Sequence, residues 1–386
     1  MIRPFVLVSA VCTFIVAASV IGPVYAAAPP DEGAEADAFV LPSRMIWDKA
    51  PHSAFTDLAR FKGSFYCTFR EGTGHVPGRS GADGAIRVIS SVDDGEAWKS
   101  VALLAEDGVD LRDPKISITP DGRLMLTIGG SFYEEGKRLK CEPRIAFSDA
   151  EGHNFSPPQP AVIDEKIRTE HDWLWRVTWH DDIAWGVVYH ASRGAAGPGH
   201  RLVKSTDGIT YEPVVSLDMG GFPNETTLRF ADHDEMIALV RREGEDRTGR
   251  LGRSRPPYAE WEWSDVGIRL GGPNFLILPG GELIAGSRLY LDDGARTALF
   301  CVDRSDRLRE LFRLPSGGDT SYPGLVIHDG KLWISYYSSH EGRTAIYLAD
   351  VPLEKVTQAI TARSAMSAEG TEGKDASTNQ ADDSHE

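Results

Sequence analysis

The chain has 386 residues, a formal net charge of −16 and 41% apolar residues. The acidic balance argues against nucleic acid as a partner, because phosphate recognition needs a basic footprint. Four cysteines, one of them inside an N-terminal apolar run, leave an odd number for the body of the chain and exclude a disulfide framework; without CxxC or HxxxH spacing, neither a metal nor any other cofactor is expected.

Residues 1–26 read as a signal peptide. Arg3 supplies the positive start, 5–21 is almost wholly apolar, and Val24, Tyr25 and Ala26 are followed by small residues suited to cleavage. No later stretch is apolar for long enough to span a bilayer. The expectation is a secreted or periplasmic protein without membrane contact after cleavage.

The body carries short runs such as 85–89, 124–128 and 332–337, rich in β-branched and aromatic residues and bounded by Gly, Asp or Pro. Asp121-Gly122, Gly280-Gly281 and Asp329-Gly330 sit between such runs as hairpin turns do. A longer period overlies them. Ser91, Asp93, Gly95 and Trp98 form an S-x-D-x-G-x-x-W turn; a degenerate copy starts at Ser148, with Ala150 at the Asp position, and a shortened one at Ser205, each 57 residues after the last. Ser254 and Asp303 continue the series at about 50. The Ser and Asp satisfy backbone donors, the Gly permits positive φ, and the aromatic packs between sheets. This period predicts an all-β, six-bladed β-propeller over 40–358, with the strand near 346–348 pairing with the first blade to close the ring. In the run 173–180, alternation predicts a strand with Trp173, Trp175, Val177 and Trp179 on one face. Arg176 or His171 at its mouth could then touch a sugar. The stretch 364–386, without an aromatic residue, reads as a disordered acidic tail.

The repeated turn resembles the Asp-box (BNR repeat) of the sialidase, or neuraminidase, superfamily. Three local stretches are also similar to that family: 65–72 with the strand after it, 224–228 followed by 238–241, and 321–325 before Asp329-Gly330. The resemblance implies a propeller whose cup holds an anionic sugar on arginines, while a Tyr assisted by a Glu attacks the anomeric carbon. A neutral Tyr suits an anionic substrate, which would repel a carboxylate nucleophile. Residue by residue, Tyr322 matches the nucleophile, Glu225 its assisting base, and Arg241 an arginine of the carboxylate clamp, with Arg288 a further one. The first clamp arginine is replaced by the stretch His52 to Asp57, a change that weakens any grip on sialic acid. Arg70 and Arg112 are candidates to supply the lost charge. The acid/base position falls on Asp83 or on His75. Asp113, before Pro114, reads as shaping its loop.

The implied function is a secreted, sialidase-like exo-glycoside hydrolase that removes a terminal acidic sugar from a glycan or glycoconjugate by a retaining mechanism. A propeller polysaccharide lyase pairing Tyr322 with His75 or His340 is the first alternative, since it needs a Tyr/His couple beside a neutralised uronate. A non-catalytic carbohydrate-binding propeller is the second.

Overall fold

The computed structural model describes residues 39–78, 81–192 and 199–375, with side chains through 365. The expected signal peptide lies outside these residues. Six sheets follow one another along the chain, each beginning with an innermost strand and working outward by antiparallel hairpins. The innermost strands are His52–Phe61, Asp110–Ile118, the broken pair Asp172–Leu174 and Thr178–His180, Pro223–Phe230, Asn274–Ile277 and Thr320–His328. This is a six-bladed β-propeller. Among the described residues no helix is long and apolar enough to cross a membrane.

The ring closes differently from the expectation. Ala345–Pro352 does not pair with the blade that starts at His52; it is the third strand of the sixth blade. Ser43–Trp47, which precedes the first blade, adds to it as the fourth strand, in antiparallel register from Ser43 opposite Ala349. Closure by the N-terminal strand ties the two ends of the chain through backbone bonds, which side-chain packing between blades cannot do.

The repeated turns link third and fourth strands. In the first, Ser91 Oγ donates to Asp93 Oδ1 (2.7 Å) and accepts from the Gly95 amide (2.9 Å), while Trp98 Nε1 donates to the Gly95 carbonyl (3.0 Å). The third copy repeats this with Ser205, Asp207 and Gly208, the Tyr211 hydroxyl taking the place of the indole (3.0 Å). In the second copy Asp149, one position early, accepts the His153 amide (2.7 Å), which explains how Ala150 is tolerated. Gly95 has φ +79°, and a Cβ there would stand 2.5 Å from Leu348 Cδ2 of the sixth blade. Gly95→Ala is therefore expected to cost about 2 kcal/mol, from a strained backbone and an overfilled blade interface, measured as a lower urea midpoint.

Two further expectations change. The aromatic run is not one alternating strand: it breaks at 175–177, where Trp175, Arg176 and Val177 are all buried. An innermost strand is packed on both faces and along the axis, so period two carries no solvent side here. Helix Leu353–Asp375 also runs past residue 364, where composition predicts disorder. Val356 and Ile360 anchor its first turns in the core shared by the last two blades, and Arg363 Nε donates to the Glu310 carbonyl (3.0 Å). The rest of that tail, 376–386, lies outside the described residues. Cys67, Cys141 and Cys301 are buried free thiols.

Candidate active site

The innermost strands all start at one mouth of the axial channel, and four of them are interrupted there by a bulge: between Ala54 and Asp57, Arg112 and Lys115, Pro223 and Thr226, and Ser321 and Gly324. A bulge re-aims one side chain out of the sheet. The residues so aimed are Phe55, Asp113, Glu225 and Tyr322, and three of them hold left-handed backbone angles: Phe55 (φ 66°), Asp113 (φ 51°) and Tyr322 (φ 54°). Such conformations are costly for non-glycine residues and persist where surrounding contacts over-determine them. For Tyr322 those contacts are a bond from Thr56 Oγ1 to its carbonyl (2.7 Å) and one from Ser321 Oγ to the Gly271 carbonyl.

Tyr322 Oη donates to Glu225 Oε1 at 2.6 Å. The same oxygen accepts from Arg241 Nη1 at 2.8 Å, and Oε2 accepts the Gly272 amide at 2.8 Å. Burial alone would raise the Glu225 pKa; the Arg241 guanidinium, the Tyr322 hydroxyl and the Gly272 amide outweigh it and hold the carboxyl below its ordinary value. Burial, then the charge of Glu225, push the Tyr322 phenol well above its ordinary value. The resting pair is thus a neutral phenol donating to a carboxylate. Lys115 Nζ lies beneath, 4.4 Å from the centre of the Trp175 ring and 5.3 Å from that of Tyr322, its pKa lowered by burial to about 8.

A cavity of about 410 Å³ reaches Glu225 and Arg241 of this group and is lined among others by His75, Arg112 and Asp113; Tyr322, 8% exposed, and Arg288 lie behind its lining residues. The arginines differ in what they leave available. Arg241 is divided between Glu225 and Glu243. Arg112 lines the wall, its guanidinium 5.2 Å from the Phe55 ring centre and bonded to the His75 carbonyl (3.1 Å). Arg288 lies beside Tyr337, donating from Nε to the Thr320 carbonyl (2.7 Å) and from Nη2 to the Tyr337 hydroxyl (3.2 Å). Arg70 is not in the cup. It is wholly buried between Asp110 (2.6 Å) and Asp83 (2.9 Å), where its charge is consumed by two carboxylates.

That clamp also removes Asp83 from the cavity wall, since its oxygens serve Arg70 and the Thr73 hydroxyl and amide. His75 does reach the cavity. Its Nδ1 pairs with Asp319 Oδ2 at 2.8 Å, and its ring and that of Tyr322 each stand 5.1 Å from the ring of Phe55, edge to face. Asp319 Oδ2 also meets His52 Nε2 (3.0 Å), and its Oδ1 accepts from Tyr337 (2.9 Å). Burial would raise Asp319, but these three bonds hold it well below the usual carboxylate range. His52 thus supports His75 through Asp319. The donor atoms of His52, His75 and Asp319 lie within 4.8 Å of one another, a spacing that suits a metal ion as well as hydrogen bonds and that the scattered histidines of the sequence do not reveal. His340 is bonded to Ser338 in an outer turn and is absent from the cavity lining.

Asp113 is the cavity residue that sequence reasoning assigned to loop shape. It is 9% exposed, its Oδ1 has no hydrogen-bond partner, and burial raises its pKa. A signal for it exists: Asp113-Pro114 and Tyr322-Pro323 occupy the same bulge in equivalent strands, so aligning the repeats on their innermost strands brings it out. Arg176 faces away from the cup, donating to Asp57 Oδ2 at 2.6 Å.

No protein-family model matches the sequence, and no curated protein is similar to it. Solved structures are similar in fold. A protein of unknown function from Dyadobacter fermentans is 18% identical, with a TM-score of 0.67 over 81% of this chain and 97% of that one. Trypanosoma rangeli sialidase, in a covalent complex with 2,3-difluorosialic acid, is 12% identical with a TM-score of 0.64 over 84% of this chain and 61% of that one. The NanB sialidase of Streptococcus pneumoniae is 10% identical with a TM-score of 0.61 over 81% and 71%. At these identities the likeness concerns the fold: the chain is a six-bladed β-propeller similar to those of sialidases.

Proposed function

We propose that the protein is an exo-glycoside hydrolase that removes a terminal acidic sugar outside the cytoplasm, using Tyr322 as nucleophile. The observation that carries this reading is the 2.6 Å bond from the Tyr322 hydroxyl to a carboxylate that Arg241 and a backbone amide keep ionised. A phenol is a weak nucleophile unless a positioned base takes its proton as the bond forms. Glu225 is so positioned. In the first step Tyr322 Oη attacks the anomeric carbon, its proton passes to Glu225 Oε1, and the departing oxygen is protonated by His75, oriented by Asp319. In the second step His75 takes a proton from water, the water oxygen displaces the tyrosyl oxygen, and Glu225 returns its proton to Tyr322. Two inversions give net retention. Arg112 and Arg241, which line the cavity, attract the anionic group, with Arg288 behind them beside Tyr337, and the Asp113 carboxyl on the same wall suits a ring hydroxyl.

The test is a turnover screen of the mature protein on sialyl, uronyl and neutral glycosides. The expected result is a reducing sugar released from an anionic glycoside without ultraviolet absorbance. A lyase is the second reading, favoured by the way His75 and Tyr322 flank Phe55; an unsaturated, ultraviolet-absorbing product would replace the hydrolase with it. Glycan binding without turnover, unaffected by Glu225→Ala, would make the protein a lectin-like propeller.

Two predictions concern the acid side. Because Glu225 is needed ionised and its pKa is depressed, kcat/KM is expected to hold as pH falls to the ordinary carboxylate range and to decline only below it. With His75→Ala, kcat on a poor leaving group should fall about a hundredfold or more, and much less on an activated aryl glycoside. Equal losses on both substrates would take the proton-donor role from His75.

A further inference from the structure

The other mouth of the axial channel has a cavity of its own, of about 460 Å³, where the innermost strands end. Glu225 to Arg229 and Tyr322 to Val326 are each four residues along a strand, so this mouth lies roughly 13 Å from the cup. Besides Thr178, whose hydroxyl is already bonded to the Leu228 carbonyl and to Arg229, its polar lining is made of five donors, Arg60, Arg176, Arg229, Ser117 and Trp179, with no carboxylate among the lining residues. Four of these five carry a buried atom without a hydrogen-bond partner: Arg60 Nη1, Arg176 Nε, Ser117 Oγ and Trp179 Nε1. Buried donors are rarely left unpaired, because each forfeits its solvation without return. Arg176 is 5% exposed and shares its charge with Asp57 alone. Arg229 has no carboxylate partner among the described residues; it donates to Thr178 Oγ1, the Leu228 carbonyl and Asn274 Oδ1. Burial, reinforced by the repulsion of Arg176, lowers the Arg229 pKa to about 9. Two neighbouring guanidiniums, of which Arg176 alone is paired with a carboxylate, leave positive charge at this mouth, and an anion relieves it.

We infer that the mouth of the channel opposite the cup is a binding site for a small oxyanion, held by Arg176 and Arg229, with Arg60, whose Nη2 stands 3.7 Å from Asp94, at the rim and Ser117 and Trp179 as neutral donors. The site is separate from the glycosidase reading and stands without it. Guanidinium forks and a hydroxyl match phosphate, sulfate or a carboxylate group, free or carried on a glycan.

The experiment is calorimetric titration of the full-length protein with inorganic phosphate, sulfate and acetate, in turn, in a chloride-free zwitterionic buffer. Saturable binding with one site is expected for at least one of them, with phosphate and sulfate against acetate separating a tetrahedral anion from a carboxylate. Arg229→Gln should weaken it about tenfold or more, while Arg241→Gln, in the cup, should leave it unchanged. Arg60→Gln, at the partly exposed rim, provides the same readout should Arg229→Gln not fold. Absence of saturable binding, or binding lost in Arg241→Gln but kept in the Arg229 and Arg60 variants, would overturn the assignment; the first would mean water satisfies these donors, the second that the anion sits in the cup.

Discussion

Tyr322→Phe is expected to abolish turnover while leaving the protein folded. The lost hydroxyl is the attacking atom on our reading, so kcat should fall by on the order of a thousandfold or more, equivalent to about 4 kcal/mol of barrier. Two opposing effects bear on stability. The hydroxyl gives up a bond to a carboxylate, but Glu225 keeps Arg241 and the Gly272 amide, and the ring keeps its contacts with Phe55, Trp175 and Tyr337. The net change in stability should therefore stay within about 1 to 2 kcal/mol. Glu225→Gln should lower kcat comparably, because an amide cannot take the phenolic proton. It also leaves Arg241 with Glu243 alone, so KM should shift as well. Rate measurements on both variants, with binding of an uncleaved anionic glycan as a control, check the pair. Substantial turnover in Tyr322→Phe would remove the proposed nucleophile.

Arg70→Met should produce a large loss of stability. Its guanidinium is fully buried, it faces an equally buried Asp110 at 2.6 Å, and it bridges to Asp83 and the Gly74 carbonyl. Removing the cation leaves the buried Asp110 carboxylate with Arg112 Nη1, 3.8 Å from its other oxygen, as its remaining cation, a loss of about 3 kcal/mol. Gly84 makes the site unforgiving: a Cβ there would stand 2.2 Å from Asp110 Oδ1 and 2.5 Å from Arg70 Nε, so the backbone leaves little room for compensating water. The double variant Arg70→Met with Asp110→Leu should recover much of the loss, since it removes both buried charges together. Urea denaturation of the single and double variants measures this. A single variant as stable as the parent, with weakened glycan binding instead, would return Arg70 to the cup.

The contrast between Arg70 and Arg112 shows where a linear reading stops. Both precede an acidic residue, at Glu71 and Asp113, on strands of neighbouring blades. One is consumed in the wall and the other lines the cavity. The difference comes from what approaches them closely: Asp83 and Asp110 within 2.9 Å for the first, Phe55 and the His75 carbonyl for the second, whose nearest carboxylates, Asp110 and Asp113, stand 3.8 and 3.9 Å away. Asp319 has the same lesson. It lies in an unremarkable Gly-Gly-Asp-Thr turn, yet it joins two histidines 244 and 267 residues away.

What the amino-acid order determined by itself is whatever repeats locally. In the first and third turns the Ser, Asp, Gly and aromatic positions satisfy bonds within about four residues, so their period reports the blades without knowledge of the rest. Glu225, Arg241 and Tyr322 were nameable as candidates through local resemblance, and the fold brings their side chains together. Tertiary structure alone decided which carboxylates were already spent on arginines, that His52 supports His75 through Asp319, that Asp113 occupies the same bulge as Tyr322, and that the N-terminal strand closes the ring. The physical reason is the axis: six innermost strands, each some 50 residues from the next, present their ends to one channel, and the charge balance there depends on all of them at once.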